Sequence, residues 1–172
     1  DYPEKILSLT VADIAPRNYL NEPASDKHVE LHNRILEVLC SLDISRLTSR
    51  NEIEKALETP VPDRLIRMFV LKNLKRAGNA FIWKMNTPVL LKSLDHILGA
   101  VTLDEYRDRI PFSRYPVLFV RVELSGYLCN SDETWIRKMY PEFRLVEMKG
   151  ASHFLHTENP EGLVQILTGF LK

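Results

Sequence analysis

Three short, nearly continuous apolar runs stand out along the chain: Ile6-Leu7-Ser8-Leu9-Thr10-Val11-Ala12, Val117-Leu118-Phe119-Val120-Arg121-Val122 and the shorter Arg144-Leu145-Val146-Glu147-Met148. Apolar residues at consecutive rather than alternating positions predict strands buried on both faces, the kind that build parallel sheets. Between the second and third runs, Asn130 and Glu133 have capping-box spacing, and Trp135, Ile136 and Met139 follow on one helical face, so the order there is strand, helix, strand. After the third run, Asn159-Pro160 supplies an N-cap and a first-turn proline. Leu163, Ile166, Leu167, Phe170 and Leu171 then recur at helical spacing, which predicts a terminal amphipathic helix.

Between Ser25 and Tyr106 the period changes. Leu31, Ile35, Val38, Leu39 and Leu42 mark one helix, and Ser49 with Glu52 caps a short second. Ile66, Phe69, Val70 and Leu74 mark a third after Pro60-Val61-Pro62, and Thr87-Pro88 opens a fourth carrying Leu90, Leu91, Leu94, Ile97 and Leu98. The expectation is an all-helical insertion between two strands. The boundaries are 1–16 for the first strand and its loop, 17–110 for the insertion and a return helix, and 111–172 for the last two strands, their loop and the terminal helix. In such an arrangement the first strand would be an exposed apolar edge, so further strands are expected before Asp1.

Charge narrows the partners. The chain of 172 residues carries 23 Lys plus Arg and 23 Asp plus Glu, so no net field draws it to nucleic acid or to an anionic membrane surface. A small, largely uncharged partner is expected. Cys40 and Cys129 lie far apart without pairing or metal-ligand spacing, which fits a reducing, intracellular compartment. No stretch approaches the roughly 18 consecutive apolar residues of a membrane span, and no signal peptide is evident, so any targeting segment is expected upstream of Asp1.

Several stretches resemble the small α/β-hydrolase esterases that include the bacterial YbfF-type esterases and the mitochondrial abhydrolase-11 lipases. They are Pro3-Glu4-Lys5-Ile6-Leu7-Ser8-Leu9, Asp13-Ile14-Ala15-Pro16, Arg67-Met68-Phe69-Val70-Leu71-Lys72-Asn73-Leu74, Phe81-Ile82-Trp83-Lys84-Met85-Asn86, Pro116-Val117-Leu118-Phe119-Val120, Ser125-Gly126-Tyr127 and Gly150-Ala151-Ser152-His153-Phe154-Leu155-His156. The likeness runs nearly end to end. It implies the C-terminal part of an α/β-hydrolase fold: the sixth strand, a helical cap over the pocket, the last two strands and the terminal helix, with the first five strands missing. It also implies a cytoplasmic or mitochondrial location. In that superfamily the catalytic order is Ser, then acid, then His. No Gly-x-Ser-x-Gly occurs here, and Val122-Glu123 stands where the family usually has a glycine pair.

A serine hydroxyl needs an imidazole to take its proton and return it to the leaving group. His153 is the candidate base, in a loop between a strand and a capped helix; the bland alternative is a packing histidine. The base needs an acceptor to fix its tautomer, and Asp13 is the candidate, at the end of a buried strand where an unpaired carboxylate would be costly. Its bland alternative is a turn cap before Pro16. Glu123 is the reserve acid, and His156 is read as a supporting hydrogen-bonder. His28 and His32 lie one helical turn apart but lack a third ligand, so neither metal nor another cofactor is expected. Phe69, Phe81 and Trp83 form an apolar group that either packs within the cap or lines an acyl pocket. Arg64, Arg67, Lys72, Lys75 and Arg76 make one helix basic, either a solvated face or a site for a substrate carboxylate or phosphate.

The function expected is therefore the C-terminal portion of a serine esterase or lipase-like acyl hydrolase acting on a small apolar ester, inactive by itself. The alternative is a noncatalytic remnant serving as a protein-interaction module. Its partner would be the missing N-terminal half or a second copy paired along the exposed sheet edge.

Overall fold

A computed structural model describes residues 2–21, 26–99 and 110–172. In chain order its elements are β1 (Leu9–Ala12), α1 (Asp26–Ser41), α2 (Arg50–Leu57), α3 (Arg64–Leu71), β2 (Leu74–Ala77), β3 (Ala80–Trp83), α4 (Thr87–Lys92), α5 (Leu94–Leu98), β4 (Val117–Val122), α6 (Glu133–Met139), β5 (Arg144–Met148), α7 (Leu155–Glu158) and α8 (Pro160–Phe170). They form two compact units, one made of 1–18 with 100–172 and the other of 19–99. The return helix expected before residue 110 lies outside the described residues.

The first unit is built on a parallel sheet of order β1-β4-β5. Its middle strand explains the continuous apolar run. Leu118, Val120 and Val122 face one way, into a cluster with Met148, Ala151, Leu155 and the half-buried Leu163, Ile166, Leu167 and Phe170 of α8. Val117 and Phe119 face the other way, against Ala15, Leu128 and Ile136. The pleat thus sends alternate residues into two cores, and both sets must be apolar. Each such side chain contributes roughly 1.5–3 kcal/mol on burial.

β4 and β5 have the limits that their patterns predict. β1 is shorter than its run, because Ile6 and Leu7 are exposed, Leu7 by 90%. The reason lies in the partner: β4 opens just after Pro116, and Leu9 makes the last bond of the ladder, its N–H donating to the Pro116 carbonyl at 3.0 Å. The Asn130–Glu133 box does not form either. Asp132 accepts from the Cys129 N–H at 2.7 Å instead, while Asn130 and Glu133 both pair with Arg121.

The second unit has its own core of Leu39, Ile44, Ile53, Leu57, Val70 and Leu71. Local caps set its helix starts: Ser49 Oγ accepts from Glu52 N–H, Asp63 Oδ1 from Leu65 and Ile66, and Asn86 Oδ1 from Val89. The insertion is not all-helical. β2 and β3 form an antiparallel hairpin with Ala77 opposite Ala80, leaving the two-residue loop Gly78-Asn79, whose Gly78 has φ +61°. Glycine supplies that left-handed turn without steric cost. Leu74, Lys75 and Arg76 therefore lie on a strand and not on α3. Arg67 is no part of a solvated face either: it is buried, and its guanidinium donates to the Val61 and Pro62 carbonyls at 2.9 and 2.6 Å. The expected fourth helix is divided at Ser93 into α4 and α5.

Candidate active site

Because β1, β4 and β5 are parallel, the segments that follow them gather at one edge of the sheet, where open α/β sheets bind their ligands. Asp13 immediately follows β1. Its N–H donates to the Val120 carbonyl at 2.8 Å, which continues the ladder by one step, and its backbone then turns into the left-handed region at φ 48°. Among non-glycine residues Asp and Asn tolerate this conformation best, yet it is strained, and strain of this kind clusters at functional sites. The side chain is completely buried.

His153 is delivered from the far side of the sheet. The β4–β5 ladder runs past its strands through Glu123 N–H to Met148 O at 3.1 Å and Leu124 N–H to Ala151 O at 3.0 Å. Gly150, at φ 66°, makes the turn. Its N–H is held by Glu123 Oε2 at 2.9 Å, and the Ser152 N–H by Glu158 Oε2 at 2.6 Å. These contacts place His153 Nδ1 2.9 Å from Asp13 Oδ2. A carboxylate only accepts, so Nδ1 carries the hydrogen, and in the neutral imidazole Nε2 then holds the lone pair. The histidine side chain remains 46% exposed while the aspartate is fully enclosed. A half-exposed imidazole backed by a buried carboxylate suits proton transfer. Among the described residues Asp13 Oδ1 is buried with no hydrogen-bond partner, at a cost of roughly 1–3 kcal/mol.

Two residues that the sequence pattern does not single out complete the surroundings. The Tyr127 ring lies 4.3 Å from that of His153, centroid to centroid. Next to it, the Gly126 carbonyl accepts from Arg17 Nη2 at 2.7 Å, and Arg17 Nη1 also pairs with the Asp132 carboxylate at 3.1 Å. Arg17 thus ties the segment after Asp13 to the loop that carries Tyr127. No periodicity marks an isolated arginine, and only the pairing of distant loops reveals it.

The other candidates fall elsewhere. Glu123, the reserve acid, engages Gly150 and lies 3.7 Å from Lys149 Nζ. His156 is exposed on α7. Phe81 and Trp83 pack against the core of the second unit, whereas Phe69 is 49% exposed. Among the described residues no group of three or more His, Cys, Asp or Glu is arranged to hold a metal ion, and no helix is long and apolar enough to cross a membrane.

No family model matches the chain. It is 27% identical to the sn-1-specific diacylglycerol lipase ABHD11 of Danio rerio over 99% of its own length and 51% of the relative's. It is 24% identical to the esterase YbfF of Escherichia coli over 98% of its length and 60% of that protein's. Among solved structures, a marine microorganism esterase superposes with a TM-score of 0.85 at 32% identity, covering 98% of this chain and 62% of the other. E-2-(acetamidomethylene)succinate hydrolase, at 19% identity and a TM-score of 0.66, shares the fold. The chain thus spans between about half and three-fifths of the length of these proteins. Fold and relatives together place it in the α/β-hydrolase superfamily. Within that superfamily its relatives are esterase- and lipase-like.

Proposed function

We propose that the chain supplies the acid and the base of a Ser-His-Asp triad in a carboxylic-ester hydrolase, with the nucleophilic serine on sequence outside these 172 residues. The 2.9 Å contact of Asp13 with His153 carries this reading. In the intact site His153 Nε2 takes the proton of the serine as it attacks the ester carbonyl and returns it to the leaving alcohol. It then activates water against the acyl-serine, and Asp13 steadies the imidazolium formed in both halves. The substrate is a small apolar ester.

Two measurements test this. The 172-residue chain, lacking nucleophile and oxyanion donors, turns over a chromogenic short-chain ester no faster than its His153→Ala variant. Turnover that depends on His153 would contradict the assignment of the serine. The coding sequence upstream of Asp13 carries Gly-x-Ser-x-Gly about two dozen residues earlier, one strand-to-helix unit away; an open frame without it sinks the triad.

A further inference from the structure

The net charge of zero conceals an uneven distribution. Residues 26–63 hold eight acidic and five basic side chains, whereas from Arg64 through Leu94 there are seven Lys or Arg and no Asp or Glu. Apart from the buried Arg67, the cations of that stretch are exposed. They surround large apolar side chains that are also exposed. On the hairpin, Lys75 pairs with Ile82 across the two strands, and Lys84 lies two residues beyond Ile82 on the same face; Ile82 is 43% exposed. Leu65 and Phe69 on α3 and Lys72 at its C-cap follow at i, i+4 and i+7, so they form one row on the helix surface, with Leu65 43% exposed. The row and the hairpin face meet where Lys84 Nζ donates to the Lys72 carbonyl at 2.9 Å.

From this surface we infer that the helical unit docks on an anionic phospholipid membrane through Leu65, Phe69 and Ile82 ringed by Lys72, Lys75 and Lys84. Lysines with long aliphatic stems next to half-exposed aliphatic residues suit the interface, where the stems and apolar groups enter the acyl boundary and the ammonium groups stay among lipid phosphates. A nucleic acid would match the charge but leave Leu65 and Ile82 in water, because bases are recognised by stacking on rings and by hydrogen bonds. The inference concerns adsorption at the surface, with no helix crossing it.

Co-sedimentation of the 172-residue chain with vesicles tests it without any turnover, so its outcome is separate from that of the hydrolase assignment. In low salt the chain sediments with phosphatidylcholine vesicles containing about 30 mol% phosphatidylglycerol and stays in solution with pure phosphatidylcholine. Lys72→Gln with Lys75→Gln weakens partitioning about 25-fold, about fivefold for each cation. Lys27→Gln with Lys55→Gln, the same charge change on α1 and α2, leaves it at the parent level. Leu65→Ser with Ile82→Ser weakens binding to the anionic vesicles in low salt, and about 0.5 M salt, where exposed charges are screened within a few ångströms, releases the parent chain. The inference is overturned by equal sedimentation with both kinds of vesicle, by loss equal to the patch variant in the Lys27/Lys55 control, or by tighter retention on single-stranded nucleic acid than on the anionic vesicles.

Discussion

In the sheet-bearing unit the decisive polar contacts join residues far apart in sequence, Asp13 with His153 and Arg17 with Asp132. In the helical unit many of those among the described residues are local: Asp43 with Ser45, Thr48 with Glu52, Asp63 with Leu65 and Asn86 with Val89. The difference separates two uses of a polar side chain. A local cap satisfies backbone groups that any helix end exposes, and another short polar residue replaces it at modest cost. A buried long-range pair does nothing for its own element. It fixes one loop against another, and when broken it leaves an uncompensated charge.

The contrast is broken most severely at Arg17. Arg17→Met strands the nearly enclosed Asp132 carboxylate, whose side chain is 6% exposed, and lowers the stability of the sheet unit by about 3 kcal/mol in urea unfolding. The same variant detaches the Tyr127 loop, so the ring-current shift that Tyr127 imposes on the His153 ring protons in NMR spectra collapses. A local contact has a smaller effect. Asp63→Ala frees the Leu65 and Ile66 N–H groups at an exposed helix end and costs about 1 kcal/mol, with amide exchange quickened in α3 and unchanged in β4. A loss as large as that at Arg17 would erase the distinction.

The smallest effect carries a pH signature. The Thr48 N–H and hydroxyl on Glu52 hold its carboxyl below the ordinary glutamate range. A depressed folded value means that the bond stabilises the folded chain above the ordinary glutamate pKa, and that this contribution is lost as pH falls through the depressed value. Glu52→Gln therefore lowers the melting temperature slightly at neutral pH, and the gap between variant and parent closes in acid. A gap that persists there would assign the effect to packing.

The same contrast governs what the sequence reveals. β4 and β5, buried on both faces, announce their limits through composition alone, and the Ser49 and Asn159 caps follow from neighbours within four residues. The limit of β1 does not, because Pro116 in a distant strand decides it. The hairpin was within reach, since Gly78-Asn79 is a two-residue turn signal, but the helical spacing of Ile66, Val70 and Leu74 carries on across the end of α3 and hides it. At the candidate site the motif residues Asp13 and His153 are visible as a resemblance. The left-handed backbone of Asp13, the Arg17 tie and the Tyr127 stack depend on loops from three strands meeting, which no local pattern encodes.

The register of β1 on β4 also bears on how the polypeptide is made. Leu9 pairs with Val117, so at the ribosome the whole of residues 19–99 emerges before β1 can meet β4. Closing so long a loop as flexible chain costs about 4 kcal/mol in entropy alone. The intervening unit holds its own apolar core and need not wait. The nascent chain therefore grows through a stage in which a finished helical body separates a strand from a partner not yet translated.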